Sequence, residues 1–356
     1  MKRITVKNRL VLFFAIIIQQ SIVIAAPLPL QLPANQQAYL NDQYWTEDAV
    51  RANANTNHCV EAADTVNYTD YRYVGAHNAF SYQPHFFKIA FQQDQTILGQ
   101  LSYGVRGLMF DTYNWTLGWP FSLIGPNGSK VCLSHDAPGF TSVIQKGTNV
   151  YQSLKYELRR VVEFMRANPQ AVITIMLEDY ADRLVTAKEI KEVMAEAQYD
   201  VVFKPADLVN NQWPTLGWMR SHNKRLVFFT QRTANTDVTF YEFNYMLENN
   251  YGTTDETALC MPRPEARAMG PLVAFNNFKS IGITSPILLT AGPVHYDTAK
   301  RVTTNCQAKH FANGRLFNGY WADRVIYSCN GLYLLKQKTI FEYVNELNAN
   351  PNKTMP

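Results

Sequence analysis

The sequence predicts an α/β fold, one domain on a largely parallel sheet, and three observations predict it. Short apolar runs suited to strands recur from about residue 70 onward, stretches with helical spacing separate them, and neither a repeat nor a linker divides residues 66–348. Of 356 residues 47% are hydrophobic and only 17% charged, so a large core can be buried, and a disordered, collagen-like or coiled-coil chain is excluded. Length alone would allow two domains, yet α/β barrels often use this many residues in one.

The expected strands are Arg72 to Ala76, Gly107 to Thr112, Lys130 to Ser134, Ala171 to Leu177, Arg225 to Thr230, Leu272 to Phe275 and Tyr320 to Ala322. Helices are expected over Gln92 to Tyr103, Val150 to Ala167, Thr186 to Ala197, Tyr296 to Ala308 and Leu332 to Asn348. In the second of these, Leu154, Leu158, Val161, Val162 and Met165 recur every three or four residues and form one apolar stripe. Asn168-Pro169 then ends it, because the residue before proline disfavours helical geometry. Ala-Val-Ile-Thr-Ile-Met-Leu (171 to 177) is apolar almost throughout, which suits a strand covered on both faces.

The ends of the chain read differently. Lys2, Arg3, Lys7 and Arg9 precede the apolar run Leu10 to Ile18 and then Ser-Ile-Val-Ile-Ala-Ala, the pattern of a secretory signal peptide cut near Ala25 or Ala26. Gln19 and Gln20 leave that run shorter than the roughly 20 apolar residues that span a bilayer. Four of the 33 basic residues thus lie in the leader, and the remaining 29 balance 29 acidic ones, so the charge footprint of nucleic-acid binding is absent. The domains expected are a signal peptide over 1–25, an irregular segment over 26–65, the α/β unit over 66–348 and a polar tail over 349–356. Secretion agrees with sequons at Asn67, Asn114, Asn127 and Asn352. The five cysteines, at 59, 132, 260, 306 and 329, lack zinc-type spacing and suit two disulfides plus one free thiol, with the pairing open.

In an α/β barrel the reactive groups lie at the carboxyl ends of the strands. Here apolar runs end in His77-Asn78, in Asp111, in Ser134-His135-Asp136, in Glu178-Asp179 and in Asp323. Taken singly, a histidine after a strand is more often a structural cap than a catalytic group. Together, two histidines without a nucleophile elbow, CxxC or HExxH point to acid–base chemistry or metal binding rather than acyl transfer. Asn78, Asp111 and Glu178 offer oxygen donors, which suit calcium or magnesium; the alternative is ordinary loop capping and an ion pair.

At these same residues the chain resembles the catalytic X region of phosphatidylinositol-specific phospholipase C, and most closely the secreted phospholipase-C-like phosphodiesterases of plants and microbes. The matching stretches are Val-Gly-Ala-His-Asn-Ala-Phe (74 to 80), Gly-Val-Arg-Gly-Leu-Met-Phe-Asp-Thr-Tyr (104 to 113), Cys-Leu-Ser-His (132 to 135) and Val-Ile-Thr-Ile-Met-Leu-Glu-Asp-Tyr (172 to 180). Arg-Leu-Val-Phe-Phe-Thr (225 to 230) and Phe-Asn-Tyr-Met-Leu-Glu-Asn-Asn-Tyr-Gly (243 to 252) extend the match in order. The resemblance implies a distorted (β/α)8 TIM-type barrel with a phosphodiester-cleaving mouth. It makes His77 the general base on the inositol 2-hydroxyl, His135 the general acid on the departing diacylglycerol oxygen and Asp323 the carboxylate that orients the base. This division suits the reaction, since the nucleophile must lose a proton and an alkoxide leaving group must gain one.

Two departures stand out. Calcium-dependent members carry an acid where this chain has Met109, and metal-free members an arginine where it has Tyr113. The phosphorane still has to meet a cation or strong donors. Asn78, Asp111 and Glu178 are therefore expected to hold Ca2+ or Mg2+, with water completing the shell. Arg106 precedes its strand and is expected to form a structural ion pair at the far end of the barrel. Tyr113, Trp115, Trp119 and the loop Gly-Trp-Pro-Phe (118 to 121) could cover the substrate or touch lipid, or simply pack under the rim. The expected protein is a secreted, monomeric glycoprotein acting on phosphatidylinositol at a membrane surface, with no nucleic-acid partner. The alternatives are a phosphodiesterase acting on another lipid or a glycerophosphodiester, and a catalytically idle lipid-binding barrel.

Overall fold

Among the described residues eleven strands join in one hydrogen-bonded sheet, eight of them in the spatial order Val202–Phe203, Leu226–Thr230, Ile173–Asp179, Gly107–Asn114, Tyr73–Ala76, Gly319–Ala322, Leu272–Asn276 and Met246–Glu248. The computed structural model describes residues 61–82, 92–93, 95–114, 130–134, 152–232, 235–250, 255–265, 270–276, 300–302, 305–306, 319–322 and 340–349. In chain order the strands are β1 (Tyr73–Ala76), β2 (Gly107–Asn114), β3 (Val131–Leu133), β4 (Gln152–Ser153), β5 (Ile173–Asp179), β6 (Val202–Phe203), β7 (Leu226–Thr230), β8 (Phe240–Tyr241), β9 (Met246–Glu248), β10 (Leu272–Asn276) and β11 (Gly319–Ala322). The main path and the β7–β8 pair are parallel, whereas β3 runs antiparallel to β2 and to β4. The helices are α1 (Ile97–Ser102), α2 (Leu154–Ala167), α3 (Arg183–Ala197), α4 (Leu216–Ser221), α5 (Glu242–Tyr245), α6 (Glu256–Leu259) and α7 (Ile340–Ala349).

Strand alternation divides the core in two. One face carries Leu108 and Phe110 of β2, Ile173, Ile175 and Leu177 of β5, Leu226 and Phe228 of β7, and Val273 and Phe275 of β10. The stripe of α2 and Ile190 and Val193 of α3 belong to the same cluster. The opposite, inner face carries Met109, Met176, Val227, Phe229, Phe240, Leu272 and Ala274, with Tyr68, Trp213 and Leu216. Burial of each large apolar side chain is worth about 1.5–3 kcal/mol. Among the described residues no ladder joins β9 to β6 or β8.

Helix starts follow local chemistry. Ser153 caps α2 by accepting from the Tyr156 N–H at 3.4 Å, and Asp182 caps α3 by accepting from Leu184 N–H at 2.8 Å. Gln198, at φ +50°, closes α3 in the left-handed region.

The structure differs from the sequence expectation at several elements. The run near 130–134 is a strand but not a parallel one, because three apolar residues carry no signal of direction. The helix expected from Val150 starts at Leu154, after Gln152–Ser153 pair with β3. The strands β6, β8 and β9 are two or three residues long, too short for a period to show. Residues 61–65, expected in the irregular segment, are docked: Arg220 donates to Asp64 at 2.5 Å, and Gly217 N–H donates to the Asp64 carbonyl at 3.0 Å. A Cβ at 217 would come within 2.9 Å of that carbonyl, so glycine is needed there. Cys260 and Cys306 form a disulfide and Cys132 is a buried free thiol. The signal peptide, the 118–121 loop, Cys59, Cys329, the tail beyond Ala349 and the sequons at Asn127 and Asn352 lie outside the described residues, and among those described no helix is long and apolar enough to cross a membrane.

Candidate active site

The residues His77 and Asn78 leave the carboxyl end of β1 in a turn that other elements fix. The Gln93 side chain donates to the His77 carbonyl at 2.7 Å, and Gln100 donates to the Ala79 carbonyl at 2.8 Å. Ala79 N–H reaches across to the Met109 carbonyl of β2 at 2.9 Å. Asn78 sits at φ +43°, a left-handed conformation that asparagine tolerates better than most residues. His77 and Asn78 are both buried. His77 is in phase with Tyr73, an inner-face residue two positions along the strand alternation and two more.

The neighbouring strands bring in the acids. Asp111 of β2 and Glu178 of β5 are direct register partners in a parallel ladder, one step past Met109 and Met176 on the inner face. Both are buried. Burial, and then the charge of Glu178, pushes the Asp111 carboxyl well above the usual carboxylate range. Tyr180, 51% exposed, donates to Glu178 Oε2 at 3.2 Å and stacks on Tyr113 with ring centroids 4.8 Å apart. The carboxyl ends of β1, β2 and β5 thus gather His77, Asn78, Asp111 and Glu178.

Ser134, just past β3, donates its N–H to the Asp111 carbonyl at 3.2 Å, and Ala322 at the end of β11 pairs with Ala76. The next residues in sequence, His135 and Asp323, lie outside the described residues, as do Trp115 and Trp119. Met109 is buried in the inner-face cluster with Met176, and Tyr113 is half-buried on Tyr180. Arg106 lies at the amino-terminal end of β2, where its Nε donates to Glu61 at 2.8 Å and its Nη1 to the Leu101 and Val105 carbonyls.

A second polar cluster, absent from the sequence reading, occupies the carboxyl ends of β8, β9 and β10. Glu248 accepts from Asn276 Nδ2 at 2.8 Å and from Arg263 Nη1 at 2.9 Å. Glu242 is fully buried opposite Glu248, and among the described residues no donor group reaches either of its oxygens. Burial, and then the charge of Glu248, holds the Glu242 carboxyl well above its usual range. The signal was present at Glu248, which ends the short apolar run Met246-Leu247, but three residues did not read as a strand.

The donor set at Asp111 and Glu178 fits a hard cation. Two buried carboxyls opposed across one ladder repel each other, and a divalent ion bound by oxygen would relieve that repulsion. Asn78 adds an amide oxygen; among the described residues no three His, Cys, Asp or Glu side chains group tightly enough for a site made of those alone.

Comparison with known proteins points to one family. The family model for the PI-PLC X domain (PI-PLC X 1) matches residues 141–308, which include Glu178 but neither His77, Asp111 and His135 on one side nor Asp323 on the other. A PI-PLC X domain-containing protein of Arabidopsis thaliana is 29% identical over 249 residues, covering 65% of this chain and 51% of the relative. PI-PLC X domain-containing protein 1 of Arthroderma benhamiae is 26% identical over 201 residues, covering 53% and 56%. The chain therefore spans about half the length of the curated relatives it matches. A variant of the phosphatidylinositol-specific phospholipase C of Staphylococcus aureus superposes with a TM-score of 0.50 at 14% identity, over 83% of this chain and 98% of that one, a likeness of fold alone. By the family match over residues 141–308 and these relatives, the chain is similar to the PI-PLC X-domain proteins.

Proposed function

We propose that the chain is a secreted phosphodiesterase that cleaves phosphatidylinositol-type phospholipids in a closed, distorted (β/α)8 barrel. The observation that carries this reading is the meeting of His77-Asn78 with the Asp111–Glu178 pair at the carboxyl ends of three adjoining strands. His77 takes the proton from the inositol 2-hydroxyl as that oxygen attacks phosphorus, His135 protonates the departing diacylglycerol oxygen, and Asp323 orients the base. The products are a cyclic inositol phosphate and diacylglycerol.

Asn78, Asp111 and Glu178 would hold Ca2+ or Mg2+, which supplies positive charge for the negative charge developing at phosphorus. The chain's own contributions are the clamped His77 turn, which Gln93 holds by its carbonyl, and the tyrosine stack of Tyr113 and Tyr180, from which Tyr180 donates to Glu178. Signal-peptide cleavage near Ala25, glycosylation, and action as a monomer at a membrane surface belong to the same reading.

The test is purified mature protein with a panel of phospholipids, with and without chelator, read by phosphorus NMR. Cleavage of phosphatidylinositol to a cyclic phosphate, lost in His77→Ala and His135→Ala at unchanged melting temperature, is the expected result. Wild-type turnover in both variants overturns the mechanism, and full activity in EDTA overturns the cation. A second reading, an idle lipid-binding barrel, is favoured by Met109, which is buried as an apolar core residue where calcium-dependent members carry an acid. Liposome binding without product would select it.

A further inference from the structure

The two strands that carry Asp111 and Glu178 inward also carry side chains outward, and these converge with one from β7. Asp179 is the immediate neighbour of Glu178 but points to the helix-covered side of β5, where it is buried. Its Oδ1 accepts from the Thr112 hydroxyl at 2.6 Å and from Thr186 at 3.2 Å, and its Oδ2 accepts from Thr230 at 3.2 Å. Thr112 follows Asp111 on β2, Thr230 ends β7, and Thr186 lies in the first turn of α3. All three threonines are buried. Arg232 donates to the Asp179 main-chain carbonyl, which fixes the same residue from the β7 side.

One carboxylate therefore joins three adjacent strands at the level where two of them deliver Asp111 and Glu178. Thr112 and Asp179 are register partners, one step beyond Asp111 and Glu178 in the same ladder. A hydrogen bond that spans the ladder on the outer face restrains the torsions that aim the neighbouring side chains on the inner face, because consecutive residues of a strand share one peptide plane. Hydrogen bonds to an ionised acceptor are the shorter and stronger kind, and a buried one resists exchange with water.

We propose that Asp179 is a positioning residue that sets the spacing and aim of Asp111 and Glu178 through its bonds to Thr112, Thr230 and Thr186. The proposal rests on the reading of Asp111 and Glu178 as working groups of the phosphodiesterase site. Asp179 itself faces away from that site and touches neither substrate nor cation. Sites of this kind tolerate little looseness, and a displacement of about 1 Å in a reacting group can cost on the order of 100-fold in rate.

The test compares wild type, Asp179→Asn and Asp179→Ala in phosphatidylinositol turnover, with melting temperatures and crystal structures of all three. An amide at 179 can still accept from Thr112 and donate to Thr230, so D179N is expected to keep most of the wild-type kcat. D179A is expected to lose on the order of 100-fold in kcat with KM nearly unchanged. Equal kcat per folded molecule in D179A, with only a lower melting temperature, overturns the proposal and leaves Asp179 a structural residue. D179N as damaged as D179A also overturns it, since the hydrogen bonds would then not be what matters. If wild type turns over no phospholipid, the functional reading fails by itself, and the crystal structures decide the positioning. Asp111 and Glu178 carboxylates displaced in D179A but not in D179N support it, and carboxylates undisplaced in both overturn it.

Discussion

Replacement of Glu242 by glutamine should stabilise the protein at neutral pH. Glu242 is fully buried opposite Glu248, and burial together with that neighbouring charge holds its proton on well above the usual carboxylate range. In the unfolded chain a glutamate loses its proton near pH 4.3. A carboxyl that holds its proton more tightly in the folded state gives up stability as pH rises above that value, by at most about 1.4 kcal/mol for each pH unit until the folded group itself ionises. Glutamine has no proton to lose, matches the shape and still offers an N–H to Glu248, which retains Arg263 and Asn276. The sign follows from proton binding: the folded state holds more protons than the unfolded one, so this group's contribution is complete below about pH 4 and declines as pH rises. Glu242→Gln should thus match wild type near pH 4 and exceed it by a margin that grows toward pH 7, at no more than about 1.4 kcal/mol per pH unit. Urea unfolding of both proteins at half-unit steps from pH 4 to 8 measures the difference. Parallel curves, or a variant less stable at pH 7, would refute the assignment of a retained proton to this pair.

Other outcomes follow from single contacts. Arg106→Met removes a buried guanidinium from Glu61 and from two carbonyls, and should cost about 3–5 kcal/mol by urea unfolding, with kcat on phosphatidylinositol within twofold of wild type because the pair lies at the other end of the sheet. The double variant Cys260→Ser, Cys306→Ser opens a loop of 46 residues, for which chain entropy gives a loss of about 4 kcal/mol, read as a lower melting temperature under non-reducing conditions. Cys132 is buried, its Sγ donates to the Tyr113 carbonyl at 3.4 Å, and burial with the charge of Glu189 pushes its thiol above the ordinary range. Peptide mapping after alkylation should find Cys132 unlabelled in the native protein and labelled only in step with unfolding; rapid native labelling would contradict its burial.

Much of this architecture was legible because it rests on period and composition. The apolar run in β5 is buried along its whole length, as a strand covered on both faces requires, and the stripe of α2 joins the helix-covered core. His77, Asn78, Asp111 and Glu178 were visible because each follows or closes an apolar run. What escaped had no period to display. The strands β8 and β9 hold two and three residues, so no pattern in the sequence marks Glu242 and Glu248 as the core acids they are. Asp179 was adjacent to a candidate and could not be assigned a face, since a dipeptide Glu-Asp at a strand end reads the same in either register. The tyrosine pair depends on two strands being neighbours, which Tyr113 and Tyr180 state only once β2 and β5 are known to pair.

The alternation at the end of β5 has a genetic consequence. Because Glu178 and Asp179 serve opposite sides of one sheet, the strand cannot lose or gain a residue upstream without exchanging them. A one-residue deletion between Ile173 and Leu177 would turn the aspartate toward the mouth, drive the longer glutamate among the threonine hydroxyls, and invert every apolar contact between. Substitutions in this segment can be absorbed one at a time, whereas changes of length cannot, and the spacing of the acids from the start of the strand is the quantity that inheritance must preserve.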